Sequence, residues 1–231
     1  MLKQILIDFL NLLFPVRCVS CGECIEGRHS VICDECLSKI QITDYHLYPN
    51  TNRLWMLMNT NVDIKYAYAL FKFHQNDIVK KLIHYMKYKN HPEIGVQLGI
   101  LYGSILKKHH CNIHFDVIIP VPLHKKRIEQ RGYNQSEMFA KGLSQIINIP
   151  VNDNCIFRTV NTISQTTKSG SDRLLGMDNV FTVVDMDEVK GKRVLIVDDV
   201  VTTGSTMTSC IKALKVNLNC EVSVAVIAIA E

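Results

Sequence analysis

The chain has 231 residues, 47% of them hydrophobic and 21% charged, a balance that suits a packed globule and excludes wholesale disorder. Lysine and arginine exceed aspartate and glutamate by 26 to 22, so the formal net charge of +4 permits an anionic ligand but excludes a dedicated nucleic-acid coat. No apolar run approaches the roughly 20 residues that cross a bilayer, which predicts a soluble, cytoplasmic protein without a membrane span.

The first fourteen residues, MLKQILIDFLNLLF, are interrupted by Asp8 and Asn11 and lack a small-residue cleavage site, which argues against a signal peptide. Polar positions recur at helical spacing and leave Leu2, Ile5, Leu6, Phe9, Leu12 and Leu13 on the other side. The expectation is a helix docked on the body of the protein. A partner or membrane-surface helix would need a more basic polar face.

Five of the nine cysteines then fall between Cys18 and Cys36. The pairs Cys18-x2-Cys21 and Cys33-x2-Cys36 are separated by eleven residues, and Gly22 allows the chain to turn back sharply. Each pair can aim two thiolates at one tetrahedral ion, and four soft sulfurs suit structural zinc. Cys24 extends the series, so an iron–sulfur site and unliganded thiols remain as alternatives. Residues 1–59 are read as an N-terminal helix and cysteine-ribbon region, and 60–231 as a second domain.

From about residue 60, strands and helices alternate. An extended segment is expected over 62–73, helices over 76–88 and 92–108, a strand over 116–121, and a helix over 134–147. Strands over 180–184 and 194–198, a helix over 205–216 and a strand over 222–230 follow. Strands that are apolar on both faces and separated by helices predict an α/β fold with a mostly parallel sheet flanked by helices. Gly95, Gly99 and Gly103 make a bare stripe on their helix, which predicts close packing against a neighbour.

The most informative stretch is Arg193-VLIV-Asp198-Asp199-Val200-Val201-Thr202-Thr203-Gly204-Ser205-Thr206. A buried strand delivers two carboxylates to its C-terminal end, where open α/β sheets bind ligands. A run of hydroxyls around a glycine then opens a helix, whose N–H groups and dipole favour a phosphate. The acids are acceptors for vicinal hydroxyls or for hydrated magnesium. Phosphate at one end and diol at the other describe a ribose 5-phosphate. A Walker loop and a dinucleotide fingerprint are both excluded by spacing.

VLIVDDVVTTGST resembles the 5-phosphoribosyl 1-pyrophosphate (PRPP) motif of type I phosphoribosyltransferases. The resemblance implies that Asp198 and Asp199 hold ribose and that Thr202 to Thr206 hold the 5′-phosphate, with magnesium accompanying PRPP. The cysteine ribbon and DVIIPVPLHKKRIEQRGYNQSEMFAKGL (116–143) narrow it to the ComF family of competence-associated phosphoribosyltransferase-like proteins. Arg158, Gln165 and Arg173 match that family's Arg…Gln…Arg pattern. Arg173-x2-Gly176, with an asparagine only at Asn179, departs from it. The expected fold is a type I phosphoribosyltransferase-like sheet with a small zinc ribbon.

The same resemblance implies that the loop after the strand, Pro120 to Leu123 with Pro122 and Leu123 foremost, contacts pyrophosphate. Arg127 and Arg131 follow in a basic stretch and can pair with phosphate oxygens, or can form a solvated turn packed locally. Residues 158–179 suit a mobile lid whose Lys168 and Arg173 reach the pyrophosphate, or they carry solubilising charges. Three functions are in play. One is magnesium-dependent phosphoribosyl transfer to an unknown acceptor. Another is a non-catalytic PRPP- or nucleotide-sensing module acting on single-stranded DNA or on a DNA-uptake helicase or recombination protein in natural transformation. The third is a zinc-stabilised scaffold with a vestigial site.

Overall fold

The computed structural model describes residues 16–25, 31–73, 77–109, 114–159, 180–184 and 189–230. The expected helix over residues 2–13, Cys111, and the lid segment with Gln165, Lys168, Arg173 and Gly176 lie outside these residues.

Two short helices precede the first strand: α1 (Asp34–Ser38), whose N-cap is the ribbon cysteine Cys33, and α2 (Arg53–Asn59). Asn52 caps α2 by accepting the Trp55 N–H at 2.9 Å, and its Nδ2 donates to the carbonyls of Tyr48 and Ala67, each at 2.8 Å. One buried side chain thus fastens α2 to the start of β1 (Ala67–Phe73). Then follow α3 (Asp77–Tyr88), α4 (Pro92–His109), β2 (Val117–Pro120), α5 (Lys125–Arg131), α6 (Gln135–Ile147), β3 (Ile156–Arg158) and β4 (Phe181–Val183). The chain closes with β5 (Arg193–Val201), α7 (Ser205–Leu218) and β6 (Glu221–Ala230).

β1, β6, β5 and β2 form a parallel sheet in that order, while β3 and β4 pair antiparallel beside it. Val222 to Ile229 of β6 are all buried, as a strand covered on both faces requires. One face packs against α2, α7 and the β3–β4 pair through Leu54, Met58, Met207, Ile211 and Ile156. The other packs against α3, α4 and α6 through Leu82, Met86, Leu98, Phe139 and Leu143. Among the described residues the expected strands and long helices occur, with shifts of a few residues at most of their ends.

One segment differs in kind. The basic residues after β2 form helix α5 rather than a loop. Lys, Arg, Glu and Gln are good helix formers, but an exposed helix of this length has no apolar periodicity to announce it. His124 caps its start and Gly132, at φ 81°, ends it.

The bare glycine stripe does bring two helices together. A Cβ on Gly99 would lie 2.4 Å from the Phe139 carbonyl oxygen, and one on Gly142 would lie 2.1 Å from that of Val96. Backbone meets backbone here, so neither contact can be relieved by a rotamer change. Gly142→Ala is expected to force α4 and α6 apart and to cost about 3 kcal/mol, read as a lower urea midpoint at unchanged slope.

Candidate functional site

The ribbon sulfurs converge as their spacing predicts. The Sγ atoms of Cys18, Cys21, Cys33 and Cys36 all lie within 4.8 Å of one another. Cys21 and Cys33 are 3.7 Å apart, close to the ~3.8 Å edge of a tetrahedron with zinc–sulfur bonds of about 2.3 Å. The backbone N–H groups of Cys33 and Cys36 donate to the sulfurs of Cys18 and Cys33, both at 3.4 Å. Burial pushes the Cys18 thiol up, but N–H groups of Cys21, Cys33 and Ser20 outweigh it and hold it near 6. The Glu23 N–H draws Cys21 down, yet burial and the other three sulfurs push it up to about 12. Sulfurs that resist joint ionisation are a donor set that a dication would neutralise. Cys24 is exposed and stands outside the group of four.

The second constellation forms where β2 and β5 end. The helix α6, which follows β2, covers one face of the sheet, and α7, which follows β5, covers the other. Adjacent parallel strands whose connections part in this way leave a crevice at their C-terminal ends. Asp198 and Asp199 lie within the last residues of β5 and point their carboxylates into a hydrogen-bonded frame. Ser136 Oγ donates to Asp198 Oδ1 at 2.7 Å, and the Asp199 N–H does so at 2.8 Å. Lys87 Nζ at the end of α3 sits 2.9 Å from Asp199 Oδ2. Burial, and after it the charge of Asp199, push the half-buried Asp198 up to about 7, against the opposing pull of Ser136.

Val200 to Met207 and Asp198 line a small concavity at the start of α7. Thr202, Thr203 and Ser205 are exposed, and Thr206 is half-buried. Gly204 is the N-cap of α7 at φ 75° and has no side chain with which to cap it, while the Ser205 N–H reaches Thr203 Oγ1 at 3.5 Å. It is also buried under α2, since a Cβ there would meet Met58 Sδ at 2.9 Å. Only glycine satisfies both the left-handed backbone and the close approach. Val201 is buried and Val200 half-buried, and both border the concavity.

The loop after β2 is held against the acids. The Val121 N–H donates to the Val197 carbonyl at 2.8 Å, and Pro122 and Leu123 follow, half-buried. The Arg-Gly-Tyr-Asn-Gln landmark proves to be a bracket between α3, this loop and Asp198. Tyr133 donates its hydroxyl to the Met86 carbonyl in α3. Asn134 Nδ2 donates to the Val121 carbonyl at 3.0 Å, while its Oδ1 accepts the Ser136 N–H at 3.1 Å. Arg131 donates to Gln135 Oε1 at 2.9 Å and lies over the Tyr88 ring, 5.4 Å from its centroid. Gln135 itself is buried, and its Nε2 has no hydrogen-bond partner among the described residues.

Arg127 and Arg131 line a cleft of about 350 Å³ together with Lys87, Tyr88, Asn90 and Gln130. Arg158, at the end of β3, is drawn below its ordinary value by burial and by Arg127, while Asp198 acts in the opposite sense. Lys87 therefore joins the acid pair to the cleft of Arg127 and Arg131, and Arg158 lies within the field of both Arg127 and Asp198. Sequence reasoning missed Lys87 and Ser136. Ser136 directly follows the Asn-Gln landmark, which was a signal. Lys87 ends an amphipathic helix among other lysines, and its role is visible only from its contact with Asp199.

The model of the phosphoribosyl transferase domain family matches residues 133–230. "Competence protein F" of Haemophilus influenzae is 29% identical over 210 residues, covering 87% of this chain and 92% of that one. "Competence protein ComFC" of Bacillus subtilis is 26% identical over 195 residues, covering 76% and 74%. "DNA utilization protein YhgH" of Escherichia coli O157:H7 is 33% identical over 136 residues, covering 58% and 59%. Among solved structures, an allosteric regulatory enzyme of purine biosynthesis matches with a TM-score of 0.44 at 20% identity, over 63% of this chain and 30% of that one. No described helix is long and apolar enough to cross a membrane. The two competence-protein matches run well beyond the span of the domain model, so the similarity to ComF proteins extends past a shared phosphoribosyl transferase domain.

Proposed function

We propose that the protein binds PRPP with magnesium in the crevice between β2 and β5 and transfers its phosphoribosyl group to an acceptor. The observation that carries this reading is the pair Asp198–Asp199 followed directly by a hydroxyl-lined helix start whose N-cap is a glycine. In it, Asp198 and Asp199 accept hydrogen bonds from the ribose hydroxyls, and Thr202 to Thr206 with the first N–H groups of α7 surround the 5′-phosphate. The loop Pro120–Leu123 and the cations Arg127 and Arg131 face the pyrophosphate end. Magnesium, when bound beside the acids, supplies Lewis-acid charge that neutralises the leaving diphosphate. The chain's own contribution is to position C1 and to offer guanidinium donors where that negative charge develops.

Structural zinc is assigned to Cys18, Cys21, Cys33 and Cys36. A thiolate site of this kind suits a reducing cytoplasm. Relatives named for competence and DNA utilisation support a role in handling incoming DNA. They also favour a second reading, in which bound PRPP tunes action on single-stranded DNA or on an uptake partner without turnover. Release of inorganic pyrophosphate from PRPP in the presence of an acceptor screen supports transfer. Tight PRPP binding with no release across nucleobases, amines and single-stranded DNA supports sensing.

A further inference from the structure

Lys87 holds a position that neither the phosphoribosyltransferase motif nor the basic stretch predicts. Its ammonium lies 2.9 Å from Asp199 Oδ2, with only 22% of the lysine side chain and 11% of the aspartate side chain exposed. The same lysine lines the cleft that also contains Arg127, Gln130 and Arg131. One flexible cation therefore borders both the acid pair and the arginine-lined cleft. Its helix is fastened just before it, because Tyr133 donates to the Met86 carbonyl. The backbone is fixed there, and the four-carbon stem beyond it carries rotatable bonds of its own.

A carboxylate already paired with an ammonium is a poor acceptor for a diol. Asp199 Oδ1 already accepts the Val200 N–H at 2.5 Å and only 11% of the side chain is exposed, so a ligand hydroxyl competes with the ammonium for Oδ2, and an ammonium displaced from it has the cleft beside Arg127 and Arg131 as its next neighbour. We propose that Lys87 is a resident counter-ion for Asp199 that PRPP displaces, and that the freed ammonium then joins Arg127 and Arg131 on the diphosphate. This assignment rests on the PRPP reading of the crevice. It makes Lys87 the element that favours a diphosphate-bearing ribose over ribose 5-phosphate. Ribose 5-phosphate has to separate the same ion pair and gives the lysine nothing to bind in return.

The test uses the zinc-loaded full chain and Lys87→Met and Lys87→Arg variants whose melting curves show them folded. Titrations with ribose 5-phosphate and with PRPP, both in magnesium, measure the preference between the two ligands. Lys87→Met is expected to bind ribose 5-phosphate about threefold to tenfold more tightly than wild type, and its preference for PRPP to fall about tenfold. Lys87→Arg is expected to keep most of that preference, since it keeps the charge. Mn²⁺ alone, followed by electron paramagnetic resonance, is expected to bind Lys87→Met at least fivefold more tightly, and the gain to vanish when Asp199→Asn is added. An unchanged or weakened affinity for ribose 5-phosphate in folded Lys87→Met, or an unchanged preference, overturns the proposal. If wild type binds neither sugar phosphate, the PRPP reading fails. The Mn²⁺ titration then decides the counter-ion assignment by itself, with no gain in Lys87→Met counting against it.

Discussion

Asp198→Asn combined with Asp199→Asn is expected to weaken magnesium–PRPP binding by about 10²–10³-fold in a calorimetric titration, with the fold retained. Hydrogen bonds to charged acceptors are worth about 1.5–3 kcal/mol each, and the double variant removes both charged acceptors from the ribose subsite. The single Asp198→Asn variant adds a readout that a merely structural acid would reverse. Asp198 is raised from an ordinary carboxylate value of 3.8 to about 7, first by burial and then by Asp199. The folded protein therefore binds this proton more tightly than the unfolded chain does. Stability from that preference is fully present below about pH 4 and is lost as the pH rises to about 7. Removing the charge should stabilise the protein by about 2 kcal/mol at pH 8, or roughly 4–8 °C in melting temperature, and by almost nothing at pH 4. Asparagine can still accept the Ser136 hydroxyl, which keeps that contact. PRPP affinity should correspondingly rise with pH through about 7, with a proton released on binding, as titrations in buffers of different ionisation heat will show. A destabilised Asp198→Asn variant that still binds PRPP would falsify the assignment of the crevice.

Loss of the four-sulfur site should be the most damaging change to the fold. The ribbon is not an appendage held by a flexible tether: Cys18, Val31, Ile32 and Cys36 belong to the same buried cluster as α3, α4 and α6. Lys81 Nζ of α3 donates to the Ser20 carbonyl at 3.1 Å, and Gln97 Oε1 of α4 accepts the Val31 N–H at 2.9 Å. Structural zinc in small peptide sites is worth roughly 10–16 kcal/mol of apparent binding free energy at neutral pH, much of it expressed as folding. Cys36→Ser, or complete removal of metal by a chelator under reducing conditions, is expected to cost about 5 kcal/mol or more. That corresponds to a melting temperature roughly 10–20 °C lower, with exposure of the α3–α4 surface to a hydrophobic dye. Freshly purified protein should carry one equivalent of zinc. Less than about half an equivalent with intact thiols, or a melting curve that ignores the chelator, would remove zinc from the account.

The parallel sheet was legible because its strands are continuous apolar runs, and a strand buried on both faces leaves few alternatives for Val222 to Ile229. The cysteine site and the acid–hydroxyl motif were legible for a different reason: their donors are close in sequence, so spacing alone constrains where they point. Helix α5 escaped because charged residues with good helix propensity carry no period when no face is buried. The glycine stripe announced a close approach but not its partner, and the tertiary structure supplies Gly142 of α6.

What the chain order alone determined, then, is the class of fold, the four sulfurs that gather, and the β5 segment that presents two acids ahead of a hydroxyl-rich turn. What only the tertiary structure decided is the surroundings of those acids: Ser136 on Asp198, Lys87 on Asp199, Arg127 and Arg131 of α5 in the cleft that Lys87 lines, and Arg158 of β3 within the field of Asp198. The physical reason is range. Motifs express contacts among neighbours along the chain, whereas Lys87 and Asp199 meet because α3 and β5 pack across the same end of one sheet, and no local pattern of residues records that distance.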